Sequence, residues 1–239
     1  GSVTTHTGTV TITNSDYTVT ELKTINDATT GDITLNNAGG ALSGNSTDIQ
    51  AALAGTITLH TGTVAITNND YTLDELVAIN NKSTGAITLS TDNVPISGAS
   101  SDYAAALAGT INYAGNVTIS NANYTVSELT NINNGTTGSI TLNTRDTALS
   151  GNSTDLADAL AGTINYTGNV TVTNNDYTVA ELKAINAGTS GSITLSLPVA
   201  TLSGTVADIV AAFAGSVTTN TGAVTISDAN TTDITATDI

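Results

Sequence analysis

The chain has no cysteine, methionine or tryptophan, only two prolines, and four cationic side chains among 239 residues. Without cysteine there are no disulfides, no thiol chemistry and no sulfur-ligated zinc, and the redox compartment stays open. Aromatic residues make up 3% and charged residues 10%, too little for an ordinary large globular core. Lys23, Lys82, Arg145 and Lys183 stand against 20 Asp and Glu, for a net charge of −16. Such a surface repels a phosphate backbone and an anionic bilayer, so neither nucleic acid nor membrane insertion is expected. No apolar run approaches the roughly 20 residues that cross a bilayer. The missing methionine and the lack of a signal-peptide pattern point to a processed piece or an excised fragment of a longer chain.

What the chain has in quantity is threonine, about one residue in five, with Ser, Asn, Ala and Gly. Val, Ile and Leu recur among them at strict spacing, which a disordered segment does not need. Internal repetition organises the whole sequence. Tyr17, Tyr71, Tyr124 and Tyr177 mark one motif at nearly equal intervals. Each unit divides again at a glycine before an alternating segment: Gly1, Gly31, Gly55, Gly85, Gly109, Gly138, Gly162, Gly191 and Gly215. Long coils, as from Gly55 to Gly85 or from Gly109 to Gly138, thus alternate with shorter ones, as from Gly31 to Gly55 or from Gly85 to Gly109.

In the long coil from Thr56, "TITL" and "TVAIT" alternate on either side of an "HTG" turn, which places Ile57, Leu59, Val64 and Ile66 inward. "YTLDELVAINN" then changes to helical spacing, with Leu73, Leu76 and Ile79 on one stripe. "STG" ends the coil, with Gly85 free to take a left-handed conformation. The short coil from Ala86 repeats the plan in miniature, although Pro95 predicts a short or irregular second strand.

One coil cannot bury its apolar stripe, but stacked coils can. The expected fold is an α/β solenoid: a right-handed stack of about eight strand–turn–strand–helix coils, with parallel sheets and a helical layer. Equivalent strands are expected to pair between successive coils, about 4.8 Å apart. Packed helices sit wider than strands, so a gentle curve is expected, moderated by slim alanine-rich short helices. Residues 1–239 then form one repeat domain with units 2–55, 56–109, 110–162 and 163–215, and 216–239 as a partial terminal coil.

The plan resembles leucine-rich-repeat solenoids, without their Asn/Cys consensus. The wording "YTVxELxxIN…TGxITL" followed by "LSGxxxDIxxALAGTI" resembles tandem repeats of very large cell-surface or secreted proteins of marine cyanobacteria, over almost the whole chain. That resemblance implies surface display and adhesion, and supplies no catalytic motif.

Within the Tyr motif, Thr18, Thr72, Thr125 and Thr178 stand three residues before Glu21, Glu75, Glu128 and Glu181. This is capping-box spacing, in which hydroxyl and carboxylate each satisfy an N–H at the helix start. These are the chain's only four glutamates. The flanking Tyr and Leu hold the hydrophobic-staple positions, so Tyr17 is expected on Leu22 and Tyr71 on Leu76. Asp16, Asp70 and Asp176 precede the Tyr, but Asn123 fills the third place, as a turn-forming side chain tolerates and a metal ligand does not. Asn26, Asn80, Asn133 and Asn186 are expected to end the helices, in left-handed conformation or as a ladder.

Asp48, Asp102, Asp155 and Asp208 fall in the first turn of the short helices, where the dipole favours them. They are also the candidates for a fourfold calcium site, although neither the EF-hand loop nor the β-roll nonapeptide is present. His6 and His60, replaced by Tyr113, Tyr166 and Asn220 in later copies, read as surface residues too far apart to share a metal. No catalytic-nucleophile, zincin or phosphate-cradling motif occurs. N-x-[ST] triplets such as those at Asn45 and Asn152 arise freely in an Asn- and Thr-rich chain.

Outward positions of the long-coil second strands align in three rows. These are Thr9, Thr63, Asn116, Asn169 and Ala223; Thr11, Ala65, Thr118, Thr171 and Thr225; and Thr13, Thr67, Ser120, Thr173 and Ser227. Such rows resemble ice-binding surfaces. The leading expectation is nonetheless a structural or adhesive extracellular repeat segment without catalysis or cofactor, whose partners are neighbouring repeats of its parent chain. A calcium- or polysaccharide-binding module is the second expectation and an ice binder the third. The C-terminal "TTDITATDI" puts Thr231 where the next Tyr would fall. The N-terminus shows no polar cap, so exposed sheet edges at both ends make end-to-end association of fragments an expected hazard.

Overall fold

Alternating residues build strands only three residues long, because the chain needs a turn again before a fourth residue can pair. The computed structural model describes residues 5–109 and 111–228; the stretch that begins at Thr231 lies outside them. In order, the first elements are β1 (Val10–Ile12), α1 (Val19–Ala28), β2 (Ile33–Leu35), β3 (Leu42–Gly44), α2 (Ser46–Ala52), β4 (Val64–Ile66), α3 (Leu73–Asn80), β5 (Ile87–Leu89), β6 (Ile96–Gly98), α4 (Ser100–Ala106) and β7 (Val117–Ile119). Then come α5 (Val126–Gly135), β8 (Ile140–Leu142), β9 (Leu149–Gly151), α6 (Ser153–Ala159), β10 (Val170–Val172), α7 (Val179–Gly188), β11 (Ile193–Leu195), β12 (Leu202–Gly204), α8 (Val206–Ala212) and β13 (Val224–Ile226). Pro95 lies just before β6, which keeps the common length of three residues.

The fold is α/β, with strand–helix units repeated in solenoid fashion and parallel pairing in the sheets β1–β2, β3–β4–β5, β9–β10–β11 and β12–β13. The chain divides into two compact units, residues 1–117 with 135–138, and residues 118–134 with 139–239. In the first unit α1 packs on α2, α2 on α3 and α3 on α4; in the second α6 packs on α7 and α7 on α8. Of the residues expected inward in the coil from Thr56, Ile57, Val64, Ile66, Leu73, Leu76 and Ile79 are buried, and the other coils bury corresponding positions. Ile33, Leu42, Ile49, Val64, Leu76 and Ile79 are buried in the first unit, and Leu149, Leu156, Val170, Leu182 and Ile185 in the second. Each such side chain contributes about 1.5–3 kcal/mol relative to exposure.

Strand pairing departs from the simple stack of equivalents. β3 does pair with its counterpart β4, as β9 does with β10. But β4 then pairs with β5, and β10 with β11, joining the second strand of a long coil to the first strand of a short one. Leu42 faces Val64, and Val64 faces Ile87. Both steps along the chain are shorter than any coil, so each sheet slips back as it climbs. The residues of the expected threonine rows are therefore not strand-pair neighbours of one another. Thr11, Ala65, Thr171 and Thr225 lie in four different sheets, and their true neighbours are Thr34, Ser43 with Thr88, Ser150 with Thr194, and Ser203.

The first strands of the long coils shrink to single bridges, such as Ile33 to Ile57 and Ile140 to Ile164. A side chain replaces the backbone there: the Leu35 N–H donates to the Thr58 hydroxyl at 3.0 Å, and the Leu142 N–H to Asn165 Oδ1 at 2.7 Å. Freed from the ladder, the backbone can take up one extra residue. Five steps separate Ile57 from Gly62 but four separate Ile164 from Gly168. Leu59, expected inward, is 45% exposed, and His60 turns inward in its place.

Two glycine roles are exchanged relative to expectation. Gly85 is not left-handed; its Cα is pressed onto the Gly62 carbonyl of the coil below, where a Cβ would overlap the oxygen. Positive φ falls instead on Gly55, at +67°, and its counterparts after the short helices, where the chain must leave the helix abruptly.

Candidate functional site

The polar residues of the Tyr motif converge where the N-terminus of a long helix meets the N-terminus of the short helix before it. Thr18, Thr72 and Thr178 hold capping boxes with Glu21, Glu75 and Glu181. In the third copy the Thr125 N–H donates to Glu128 at 2.8 Å, and the Glu128 N–H to the Thr125 hydroxyl at 3.2 Å. The local spacing predicted this geometry.

Spacing did not predict the second use of the glutamate. Ser46 Oγ and Thr47 Oγ1 of α2 donate to Glu75 at 2.9 and 2.7 Å. Ser153 Oγ and Thr154 Oγ1 of α6 donate to Glu181 at 3.1 and 2.7 Å. One carboxylate thus caps its own helix and ties down the preceding one. Burial works against the charge on Glu75. The hydroxyl of Thr47, the Thr72 N–H and the hydroxyl of Ser46 outweigh it and hold its pKa below 4.5, the ordinary value. Glu181 behaves alike through Thr154, Thr178 and Ser153. Exposed Glu21 is held below its ordinary value by Thr18.

An asparagine closes the network in both units. Asn68 Oδ1 accepts the Ser46 N–H at 2.8 Å, while its amide donates to the Ser46 hydroxyl at 2.9 Å and to Asp70 at 2.7 Å. Asn174 makes the same three bonds with Ser153 and Asp176, at 2.8, 3.0 and 2.6 Å. Ser46 and Ser153 are buried, with hydroxyl and N–H both satisfied. The Asp before each Tyr is therefore an acceptor for a side-chain amide. In the first copy Asn14 donates to Asp16 and lowers its pKa. In the third, Asn123 Oδ1 accepts from Asn121 at 2.9 Å, which is why an amide serves there.

Asn26, Asn80, Asn133 and Asn186 are not left-handed, since no described residue other than glycine has positive φ. They reach across to the carbonyls that end the next short helix. Asn26 donates to Ala51 at 2.8 Å and to Ala54 at 2.9 Å, Asn80 to Ala105 at 2.7 Å, Asn133 to Asp158 at 2.9 Å, and Asn186 to Ala211 at 2.8 Å. A helix end leaves such carbonyls without intrahelical partners.

The motif tyrosines are buried, and their hydroxyls pin loops. Tyr17, Tyr71 and Tyr124 donate to the carbonyls of Asn37, Thr91 and Thr144, and Tyr177 to Asn220 Oδ1. His60 corrects the surface reading. It is fully buried, edge-on to Tyr17 with ring centroids 6.5 Å apart, and neither ring nitrogen has a hydrogen-bond partner. His6 is exposed.

The calcium candidates stay dispersed. The Asp48 and Asp155 N–H groups donate to their N-caps Asn45 and Asn152. Their carboxylates accept from the same two amides at 2.7 and 2.6 Å. Asp102 accepts from Ser101, and Asp208 from Lys183 at 2.6 Å and Thr205 at 2.8 Å. Among the described residues, no three His, Cys, Asp or Glu side chains stand where they could hold one metal ion, and no helix is long and apolar enough to cross a membrane. What the arrangement does chemically is join one coil to the next. No protein-family model, curated protein or solved structure matches this chain.

Proposed function

We propose that this chain is a structural and adhesive extracellular repeat segment of a larger surface protein, with no catalysis of its own. The observation that carries the reading is the interhelical node. The same serine, threonine, asparagine and glutamate meet at nearly the same distances in both units, at Ser46–Asn68–Glu75 and at Ser153–Asn174–Glu181. Residues that repeat with the same contacts serve the scaffold, whereas a catalytic centre needs one place unlike its copies. Apart from this node, the resemblance of the repeats to cell-surface arrays supports the extracellular placement.

Two measurements test it. Stretched between handles, the chain should hold until discrete unfolding events release whole units; smooth extension without events would rule out a load-bearing role. Beads carrying the folded chain should be retained under flow on a polysaccharide-coated surface or on a surface bearing the same chain. Equal loss of coated and bare beads from both would remove the adhesive half of the proposal.

A further inference from the structure

The inward position two residues before the turn glycine is occupied by His60, Tyr113, Tyr166 and Asn220. Three of the four donate to carbonyls. Tyr113 reaches those of Val94 at 2.5 Å and Asn116 at 3.3 Å, Tyr166 those of Thr147 at 2.8 Å and Asn169 at 2.9 Å, and Asn220 that of Ala200 at 3.0 Å. His60 is the exception, equally deep yet without a bond at either nitrogen. A shorter ring fills the space without reaching the groups that a phenol reaches.

We propose that His60 makes the first unit acid-labile: its ring takes up a proton only when the coils around it open, so mild acid loosens this unit and not the second. A charged imidazolium needs an acceptor at each nitrogen, and neither nitrogen has a hydrogen-bond partner among the protein groups. The titratable group facing it is the Tyr17 phenol, which carries no charge near neutrality. From the segment paired with it, at Lys82 to Thr84, the one charged group is the Lys82 ammonium, bound to the Gly55 carbonyl at 2.7 Å. Among the described residues no carboxylate acts on the ring to favour its charge; burial lowers its pKa and outweighs the opposing pull of the Thr63 backbone.

The sign follows from linkage. A folded-state pKa below the unfolded value of about 6.5 means that the unfolded form binds more protons, so stability is full above that pH and declines below it. While the folded ring stays neutral, the opening equilibrium should rise about tenfold per pH unit below about 6.5. Carboxylates titrate lower, so the window from pH 7 to pH 5 isolates the histidine.

The test is hydrogen exchange of the intact chain across that window, read separately for β4 and α3 in the first unit and for β10 and α7 in the second. After correction for intrinsic exchange, protection in the first unit should fall about tenfold per pH unit in the limit below about pH 6.5, while the second holds. His60→Tyr, which copies the residue of the later coils, and His60→Phe should each abolish the fall. His6→Gln should leave it intact. A flat wild-type profile, or a fall that survives both His60 substitutions, overturns the proposal. If both variants unfold, the imidazole resonances of the wild type decide. A His60 ring that titrates near pH 6.5 with the unit still protected overturns it, and one that stays neutral until protection is lost supports it.

Discussion

The segment from Ile57 to Gly62 in the first unit and that from Ile164 to Gly168 in the second do the same job with different chemistry. Both carry the chain from a single bridge into a glycine turn, and both bury one ring. Tyr166 ties that ring to two carbonyls, whereas His60 ties it to none and one extra residue, Leu59, is pushed outward beside it. The interhelical nodes of the two units, in contrast, match almost bond for bond. Sequence change is absorbed where a ring fills volume, and resisted where a buried donor must find one particular acceptor.

The largest expected effect lies outside both regions, at the glycines that let coils touch. Gly85→Ala and Gly191→Ala each drive a Cβ into the carbonyl of Gly62 or Gly168, so backbone must move. Each should cost about 3 kcal/mol or more, by chemical denaturation, in whichever unit carries it. Gly39→Ala is the control, because its nearest neighbour is the Thr61 hydroxyl at 3.7 Å. Equal loss at all three positions would show that glycine flexibility, not close approach, is what these sites use.

Next come the buried hydroxyls. Ser46→Ala and Ser153→Ala each strip a partner from an asparagine amide and from a glutamate, and each should cost about 1–3 kcal/mol. The two nodes have the same geometry, so the two losses should agree within a few tenths of a kcal/mol. A marked difference would mean that the match in distances hides a difference in energy.

The glutamates come third. Glu75→Ala and Glu181→Ala remove a cap and a cross-brace together, for about 1–2 kcal/mol, while Glu21→Ala removes its cap alone and should cost less. Their carboxylates have lowered folded pKa values, so this stability is present above about pH 4.5 and is lost as pH falls through the folded pKa. Melting curves at pH 7 and pH 3 should therefore show wild type and Glu75→Ala converging in acid. Any binding activity should survive these substitutions.

What the sequence made legible was whatever lies within one coil. The capping boxes at Thr18–Glu21 and its copies span three residues, and spacing alone predicts them. The bonds from Ser46 to Glu75 and from Asn26 to Ala51 span 29 and 25 residues. Seeing them requires knowing which coil lies against which, and in what register. The period marked by the tyrosines does not contain that information. The sheets climb by shorter steps, from Leu42 to Val64 and on to Ile87, and the glycines that mark those steps, Gly40, Gly62 and Gly85, stack on one another across what the repeat reads as coil boundaries. The same slip gave the row threonines other strand neighbours, and one extra residue at Leu59 reversed the side on which His60 lies.

The smallest expected effect is the one that separates scaffold from ligand site most cleanly. Asp70 and Asp176 are exposed and each accepts a bond from the asparagine two residues earlier. An amide oxygen accepts that bond equally well, as Asn123 does from Asn121. Asp70→Asn should therefore change stability by less than about 0.5 kcal/mol and leave the Ser46–Glu75 node in place. A calcium site would behave otherwise, since losing a carboxylate weakens a hard-cation site far more than it weakens a neutral hydrogen bond. Melting wild type and Asp70→Asn with calcium and with chelator separates the two cases. Four coincident curves are the scaffold result. A calcium-dependent rise in the wild type that Asp70→Asn removes would show that this carboxylate is kept for its charge, and that the third copy, with Asn123, is the one that has lost a function.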